Sequence, residues 1–310
     1  MSKHVILGAG PVAQATATEL QTLGHQVVVV TRSGKGAMPP GVTRVNADAS
    51  DRSSLLGATK GASTIYNCAN PPYTNWQRDW PPIAANLLSA AEEQQAVLVT
   101  MSNLYGYGPS AKPFKESDPL RASGAKGAVR KAMWEAALEA HEAGRVRVTE
   151  ARASDFIGPN VTDASFGERV VPKVLAGQAV SVLGSLDVPH AVTAMGDVGR
   201  AMALLGTDHR ALGRAWHVPT APAVSQRKIV AGLCEAAGRA PVKVRAMPPF
   251  ALKTLGLVVP IMKALQEVEY QFAQPFDLDS SDFTTTFGVS ATPLSQTLAD
   301  TVAWYRGRQG

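Results

Sequence analysis

Val5-Ile6-Leu7-Gly8-Ala9-Gly10-Pro11-Val12-Ala13 lies almost at the N-terminus and decides how the chain folds. The apolar run from His4 to Leu7 predicts a buried parallel strand, and two glycines then turn the chain into a helical segment. A pyrophosphate can reach the unpaired N–H groups of a helix N-terminus only if no Cβ stands at the turn. Gly8 therefore makes the turn, Gly10 admits the phosphate, and Ala13 fills the third, small position of a G-x-G-x-x-G/A fingerprint. Pro11 suits the first helical turn, where no N–H is required, and Val12 continues the helix beside the phosphate. Thr16, Leu20 and Leu23 extend its apolar face, and Gly24 precedes a second strand.

That second strand, Val27-Val28-Val29-Val30, ends at Thr31-Arg32-Ser33, about twenty residues past the turn, where the adenine ribose of a dinucleotide should lie. An Asp or Glu there would accept from a ribose 2′-hydroxyl. Arg32 stands there instead, between two hydroxyls and followed by Lys35. A guanidinium pairs with a 2′-phosphate, and Thr31 or Ser33 can add donors, so the expected cofactor is NADP(H). Val42–Val45 predicts a third strand, after which Asp48 either meets the adenine amino group or caps the helix containing Leu55 and Leu56. Thr64–Ala69 predicts a fourth strand whose last residue, Ala69, borders the cofactor. Trp76 and Trp80 fall in the loop that follows, ahead of an amphipathic segment from Ile83 to Gln95. A fifth strand, Ala96–Met101, runs into the polar cluster Ser102-Asn103-Leu104-Tyr105-Gly106-Tyr107. Strands alternating with helices predict an α/β fold, a doubly wound parallel sheet of Rossmann type.

The chain of 310 residues, 45% of them apolar, can bury a large core. Its formal charge of +5 is scattered, with no long basic run or aromatic-basic pattern, which argues against nucleic acid as a partner. Cys68 and Cys234 have no CxxC spacing and no histidine cluster, so neither a disulfide framework nor a metal site is expected. The stretch Phe250–Leu265, interrupted by Lys253, Pro260 and Lys263, falls short of a membrane span. The first strand begins at once, leaving no signal peptide, and a cytoplasmic location is expected.

Further along, Asn103-Leu104-Tyr105-Gly106-Tyr107-Gly108-Pro109, Lys126-Gly127-Ala128-Val129-Arg130 and Arg152-Ala153-Ser154-Asp155-Phe156-Ile157-Gly158-Pro159 occur in order, followed by Pro189–Thr193 and Gly196–Ala201. With the glycine turn, these make the chain resemble the extended and atypical short-chain dehydrogenase/reductase superfamily, the NAD(P)-dependent epimerase/dehydratase-like proteins. The resemblance implies a nucleotide-binding domain over residues 1–160, with 188–220 returning to it. It also implies a smaller, mostly helical C-terminal lobe over 161–310 that binds a small-molecule substrate in a cleft beside the nucleotide domain. The helix around Met133–His141 is of the type that carries the superfamily's homodimer interface, and equally of the type of an ordinary packed helix.

One departure stands against this pattern. In the superfamily a Tyr-x-x-x-Lys pair supplies the tyrosinate acid/base and the lysine that lowers its pKa and holds the nicotinamide ribose. None of the six tyrosines here has a lysine four residues on. If Lys126 is the family lysine, Ala122 stands in the tyrosine's place. Tyr105 or Tyr107 can substitute from the fifth-strand loop, with Ser102 on the substrate oxygen and Lys126 on the ribose. Alternatively, Lys126 is itself the acid/base. Against both stands a structural use, with the tyrosines packed in the core and Lys126 and Arg130 on an exposed helix face with Glu135. The expected activity is an NADP(H)-dependent oxidoreductase acting on a carbonyl or activated double bond of a moderately large organic substrate. The alternatives are an epimerase or dehydratase that recycles its nicotinamide internally, and a non-catalytic NADP(H) sensor.

Overall fold

The computed structural model describes residues 2–247 and 259–308. In chain order the elements are β1 (Lys3–Leu7), α1 (Pro11–Thr22), β2 (Gln26–Thr31), β3 (Thr43–Asn46), α2 (Arg52–Thr59), β4 (Thr64–Asn67), α3 (Trp76–Glu93), β5 (Val97–Asn103), α4 (Ala125–Glu142) and β6 (Arg147–Ala153). They continue with β7 (Asp155–Ile157), α5 (Val171–Leu175), β8 (Val180–Val182), β9 (Pro189–His190), β10 (Val192–Ala194), α6 (Met195–Leu205), β11 (Ala215–His217), β12 (Val224–Ser225), α7 (Gln226–Ala236) and β13 (Val244–Ala246). Among the described residues the helices α8 (Pro260–Gln266), α9 (Tyr270–Ala273), α10 (Ser281–Phe287) and α11 (Leu294–Gly307) follow. Of the apolar Phe250–Leu265 stretch, residues 250–258 lie outside the described residues. Among the described residues no helix is long and apolar enough to cross a membrane.

The chain divides into two compact units, residues 1–106, 120–152 and 198–218 in one, and 107–119, 153–197 and 219–310 in the other. The first unit is a seven-stranded parallel sheet in the order β11-β6-β5-β4-β1-β2-β3, a Rossmann-type α/β fold. β1 is paired on both sides, Leu7 opposite Val30 of β2 and opposite Asn67 of β4. The strand order reverses there, and this reversal is where open α/β sheets bind ligands. Val5, Leu7, Val28, Val30, Ile65 and Leu98 are buried in one cluster with Leu55 and Leu87 from the helices, which is why β1 and β2 read as unbroken apolar runs.

α1 begins as its sequence requires, with Pro11 at the first position and Gly10 as an N-cap that supplies no side-chain hydrogen bond. It buries Val12, Ala13, Thr16, Ala17 and Leu20 along one stripe. α6 passes so close behind it that a Cβ on Gly199 would lie 2.8 Å from the carbonyl carbon of Ala15. α3 starts earlier than its amphipathic pattern predicts. Trp76 and Trp80, expected in a loop, form its first turns and are buried, and Pro81 and Pro82 lie inside the helix. Proline normally ends a helix, but here the burial of the two indoles outweighs the lost N–H donors.

The second unit has its own core of Ile157, Phe166, Val170, Val174, Ile229, Leu233, Leu298 and Val302. Three two-stranded pairs, β7 with β10, β8 with β13 and β9 with β12, accompany its helices. His190, which the sequence leaves isolated, is fully buried there, with Nε2 3.0 Å from Asp155 Oδ2 and Nδ1 3.0 Å from the carbonyl oxygen of Gln271.

The amino edge of the sheet in the first unit holds a second buried histidine. His4 Nδ1 lies 2.9 Å from the Tyr66 hydroxyl, and its Nε2 lies 2.9 Å from Ser2 Oγ, which also meets His25 Nδ1. Burial, and then the neighbouring His25, hold the His4 imidazole down at about 4. Below the ordinary histidine value the unfolded chain takes up a proton that the folded chain refuses. Stability contributed by neutral His4 is therefore complete above about pH 6.5 and is lost as pH falls towards 4. Thermal melting between pH 7 and pH 4 should decline less steeply in His4→Gln than in the wild type. At the opposite edge, Gly8 has φ +103° and an added Cβ would lie 2.8 Å from the Cys68 carbonyl oxygen. Gly8→Ala should cost at least roughly 1–3 kcal/mol in urea unfolding, through strain and that contact.

Candidate active site

The candidate residues gather where the carboxyl ends of β1, β2, β4 and β5 meet. Gly8 N–H donates to the Val30 carbonyl (2.9 Å) and Cys68 N–H to the Leu7 carbonyl (3.0 Å), which draws the glycine turn in against Ala69. Burial raises the Cys68 thiol to about 12, so it stays protonated behind the turn. Gly10, Pro11 and Val12 then present the N-terminus of α1. No side chain caps it, no acidic residue lies in its first turn, and nothing stands within 4 Å of where a Gly10 Cβ would be. A helix start left open in this way accepts a phosphate, through its N–H groups and the positive end of its dipole. The residues present fit the pyrophosphate of a dinucleotide.

After β2 the chain forms a loop tied by its own hydrogen bonds. Thr31 Oγ1 donates to the Lys35 carbonyl (3.1 Å), Lys35 N–H to Ser33 Oγ (3.2 Å), and Asn46 Nδ2 to the Arg32 carbonyl (3.0 Å). The Thr31 hydroxyl proton is thus used within the loop, and Ser33 keeps its own. Arg32 and Ser33 are exposed. Asp48 accepts from the Ser50 hydroxyl (2.7 Å) and the Ser50 N–H (2.9 Å). These bonds, and more weakly the Arg32 guanidinium, hold its carboxyl below the usual carboxylate range. The capping expected of Asp48 is performed by Asp51, which accepts from Ser54 N–H (2.9 Å) at the start of α2. A turn of three residues separates the two acids, and the chain spacing alone did not distinguish them.

The opposite side of the edge is built by β5 and α4. Ser102 is buried near the end of β5, and Tyr105 opens a short 3-10 turn, its N–H donating to Asn103 Oδ1 (3.1 Å). Tyr107 belongs to the second unit, where it stacks on Phe114 with ring centroids 5.0 Å apart. α4 rests directly on the Tyr105 turn. A Cβ on Gly127 would lie 2.6 Å from the Tyr105 carbonyl oxygen, and Ala122 N–H donates to the Gly106 carbonyl (3.1 Å).

Lys126 and Arg130 do not occupy the exposed face on which a structural reading puts them. Each is only 7% exposed, while Lys131, one position on, makes the surface pair with Glu135. Lys126 Nζ lies 4.6 Å over the ring of Tyr73, and the Tyr73 hydroxyl donates to the Tyr105 hydroxyl (3.2 Å). The Arg130 guanidinium lies 4.6 Å from the ring centroids of both Trp76 and Trp80. Beneath it, Arg152 Nε donates to Glu150 Oε1 (2.7 Å), both side chains being 4% exposed. Burial lowers Arg130 to about 10 and raises Glu150, each effect being partly offset by the neighbouring opposite charge. Asn67, Thr100, Thr149 and Glu150 form the polar wall of a small cavity of about 20 Å³, room for one water.

Tyr73, Trp76, Arg130 and Glu150 were not singled out as site residues by the sequence. One signal was present: Lys126 and Arg130 have the i, i+4 spacing of Tyr-x-x-x-Lys and so share a helix face. Tyr73 carries no such signal, since it arrives from the segment after β4 through the fold alone. Among the described residues no group of three or more His, Cys, Asp or Glu side chains gathers to hold a metal.

The profile of the NAD dependent epimerase/dehydratase family matches residues 5–218. The chain belongs to this family. Solved structures carry the same fold over the whole length. The Thermus thermophilus UDP-glucose 4-epimerase, solved in complex with NAD, has a TM-score of 0.78 at 19% identity, covering 98% of this chain and 99% of its own. The Bacillus anthracis dTDP-glucose 4,6-dehydratase, also in complex with NAD, has 0.79 at 14%, covering 100% and 98%. The Bordetella bronchiseptica enzyme WbmH, in complex with NAD+, has 0.75 at 18%, covering 99% of each chain. At these identities the likeness is one of fold. No curated protein sequence matches the chain.

The family's dinucleotide fold places one demand on Gly10 that is separable from stability. Its φ of −77° suits any residue, and an added methyl meets no protein atom within 4 Å. Gly10→Ala should leave the unfolding midpoint within about 0.5 kcal/mol of the wild type. Calorimetric titration should nevertheless show weakened binding of NAD(H) and NADP(H) alike, because the methyl occupies the phosphate's approach.

Proposed function

We propose that the protein is an NADP(H)-dependent oxidoreductase acting on a carbonyl or activated double bond of a moderately large organic substrate, with an atypical site lacking Tyr-x-x-x-Lys. The observation that carries the reading is the chain of buried Lys126 and half-buried Tyr73 and Tyr105 at the carboxyl edge of the sheet, because burying an amine beside a pair of bonded phenols serves proton transfer better than it serves packing.

In this reading Gly8, Gly10, Pro11 and Val12 hold the pyrophosphate, and Asp48 and Ala69 flank the adenine half. Arg32, with Ser33, takes the 2′-phosphate; Thr31 shapes the loop that presents them. When bound, the nicotinamide supplies the hydride. Lys126 holds the ribose or relays a proton, and Tyr105 and Ser102 attend the reacting oxygen. Residues 161–310 recognise the substrate. The NADP(H) preference rests on Arg32 and on the lack of an acid at Thr31-Arg32-Ser33, although the similar structures named above were solved with NAD.

A second reading has a specific observation in its favour: two of the similar structures are named as an epimerase and a dehydratase of nucleotide sugars. In that case a bound nicotinamide would supply hydride transfer with no net change in its oxidation state, and the residue roles above would be unchanged. A reductase consumes NADPH in proportion to product, whereas internal recycling leaves the NADPH absorbance unchanged while product accumulates. Screening carbonyl compounds against NADPH oxidation separates the two. In binding titrations Arg32→Ala should weaken NADPH by roughly one to two decades, one charge-assisted hydrogen bond being worth about 1.5–3 kcal/mol, and should leave NADH nearly unchanged. Equal wild-type affinity for the two cofactors would remove the preference.

A further inference from the structure

Arg130 is a buried charge near the candidate site, 7% exposed, and the roles given above leave it unexplained. It stands one helical turn below Lys126 on the same face of α4, its guanidinium held against the indoles of Trp76 and Trp80. Two of its nitrogens, Nε and Nη1, are buried with no hydrogen-bond partner among the described residues. The charges it feels are the Glu150 carboxylate and the Tyr105 phenol, and Glu150 is already bonded to Arg152. A guanidinium kept out of water without a carboxylate of its own is a costly arrangement, favoured only where another anion forms beside it. The ionisable group that can become that anion is Tyr105. Trp76 neighbours both, its ring 6.1 Å from the Tyr105 ring and 4.6 Å from the guanidinium, and its Nε1 donates to the Pro71 carbonyl (3.2 Å). The Tyr105 oxygen accepts from the Tyr73 hydroxyl, whose ring lies beneath the Lys126 ammonium.

We propose that Arg130 is a positioning residue that acts through Tyr105: with the Tyr73 hydroxyl it stabilises the Tyr105 phenolate, as the missing lysine would have done for the missing tyrosine. The proposal rests on the reading of Tyr105 as the acid/base. In the reduction direction the Tyr105 O–H bond breaks, its proton joins the substrate oxygen, and the electron pair left on the phenolic oxygen faces Arg130 and the Tyr73 O–H. The accompanying hydride comes from a reduced nicotinamide. Solvent returns the proton to Tyr105. The charged and titratable groups around Tyr105 are Tyr73 from the turn Tyr73–Asn75, Lys126 and Arg130 from α4, and Glu150 with Arg152 from β6. An arginine suits the position better than a lysine, since its planar cation stacks on indole faces and stays charged when buried.

The test reads the phenol directly and needs no substrate or cofactor. Tyrosinate absorbance of the full-length protein is titrated with alkali, and the difference between wild type and Tyr105→Phe isolates the Tyr105 transition. The same difference is then taken in the Arg130→Met, Arg130→Lys and Tyr73→Phe backgrounds. Removing the cation in Arg130→Met should move the transition upward by about one to three pH units. Arg130→Lys should restore part of that shift, and Tyr73→Phe should produce a smaller upward shift. An unmoved transition in a folded Arg130→Met protein overturns the proposal. Should that variant fail to fold, an unmoved transition in both Arg130→Lys and Tyr73→Phe overturns it equally. Turnover tests the reading beneath it: a Tyr105→Phe enzyme with wild-type kcat sinks the acid/base role, while the titration shifts would still establish the charge coupling.

Discussion

β1 is hydrogen-bonded on both sides over its whole length, and everything at the carboxyl edge of the sheet follows from that pairing. A central strand cannot splay to make room for its own exit. The chain therefore leaves through a gap bounded by the Cys68 carbonyl, and only a residue without a Cβ passes at φ +103°. The turn in turn fixes where α1 starts, and leaves that helix start without a side-chain cap, the arrangement on which the proposed pyrophosphate site rests. The spacing of the ends of β2, β4 and β5 around the site is inherited from the same register.

The other side of the edge follows a different physics. Lys126 and Arg130 are seated against aromatic faces. Cation–π contacts strengthen when water is excluded. The two prolines inside α3 belong to the same arrangement. They directly follow Trp80, where a helix is retained because Trp76 and Trp80 are buried.

How much of this was legible in the sequence depended on whether the signal was local. The glycine turn, the strand rhythm and the family membership were readable, since turn chemistry and apolar runs act on neighbouring residues. The strand ends fell within about two residues of where the patterns put them. Asp48 and Asp51 were confused because two acids three residues apart both fit an N-cap, and only the geometry of Ser50 and Ser54 separates their tasks. Trp76 and Trp80 were placed in a loop ahead of the amphipathic pattern from Ile83, whereas their burial carries the helix back to Trp76. Tyr73 was invisible because its meeting with Tyr105, thirty-two residues away, is set by strand order rather than spacing. Lys126 was read as a ribose or acid/base residue, but Arg130 four residues on was given no role beyond an exposed face, since sequence does not report which face of α4 turns inward.

The loop after β2 bears on how fast a cofactor is captured, apart from how tightly. Thr31, Ser33, Asn46 and Arg44 all spend hydrogen bonds on the loop's own backbone, the last through Nε to the Gly36 carbonyl (3.1 Å). A segment already held in shape pays little ordering entropy when a ligand arrives. In the role proposed for this loop, encounter with the adenine end would be a rigid docking event rather than a folding one, with an association rate set by diffusion and charge. Discrimination between related dinucleotides would then fall on the dissociation rate, and residence time would be the quantity that the loop controls.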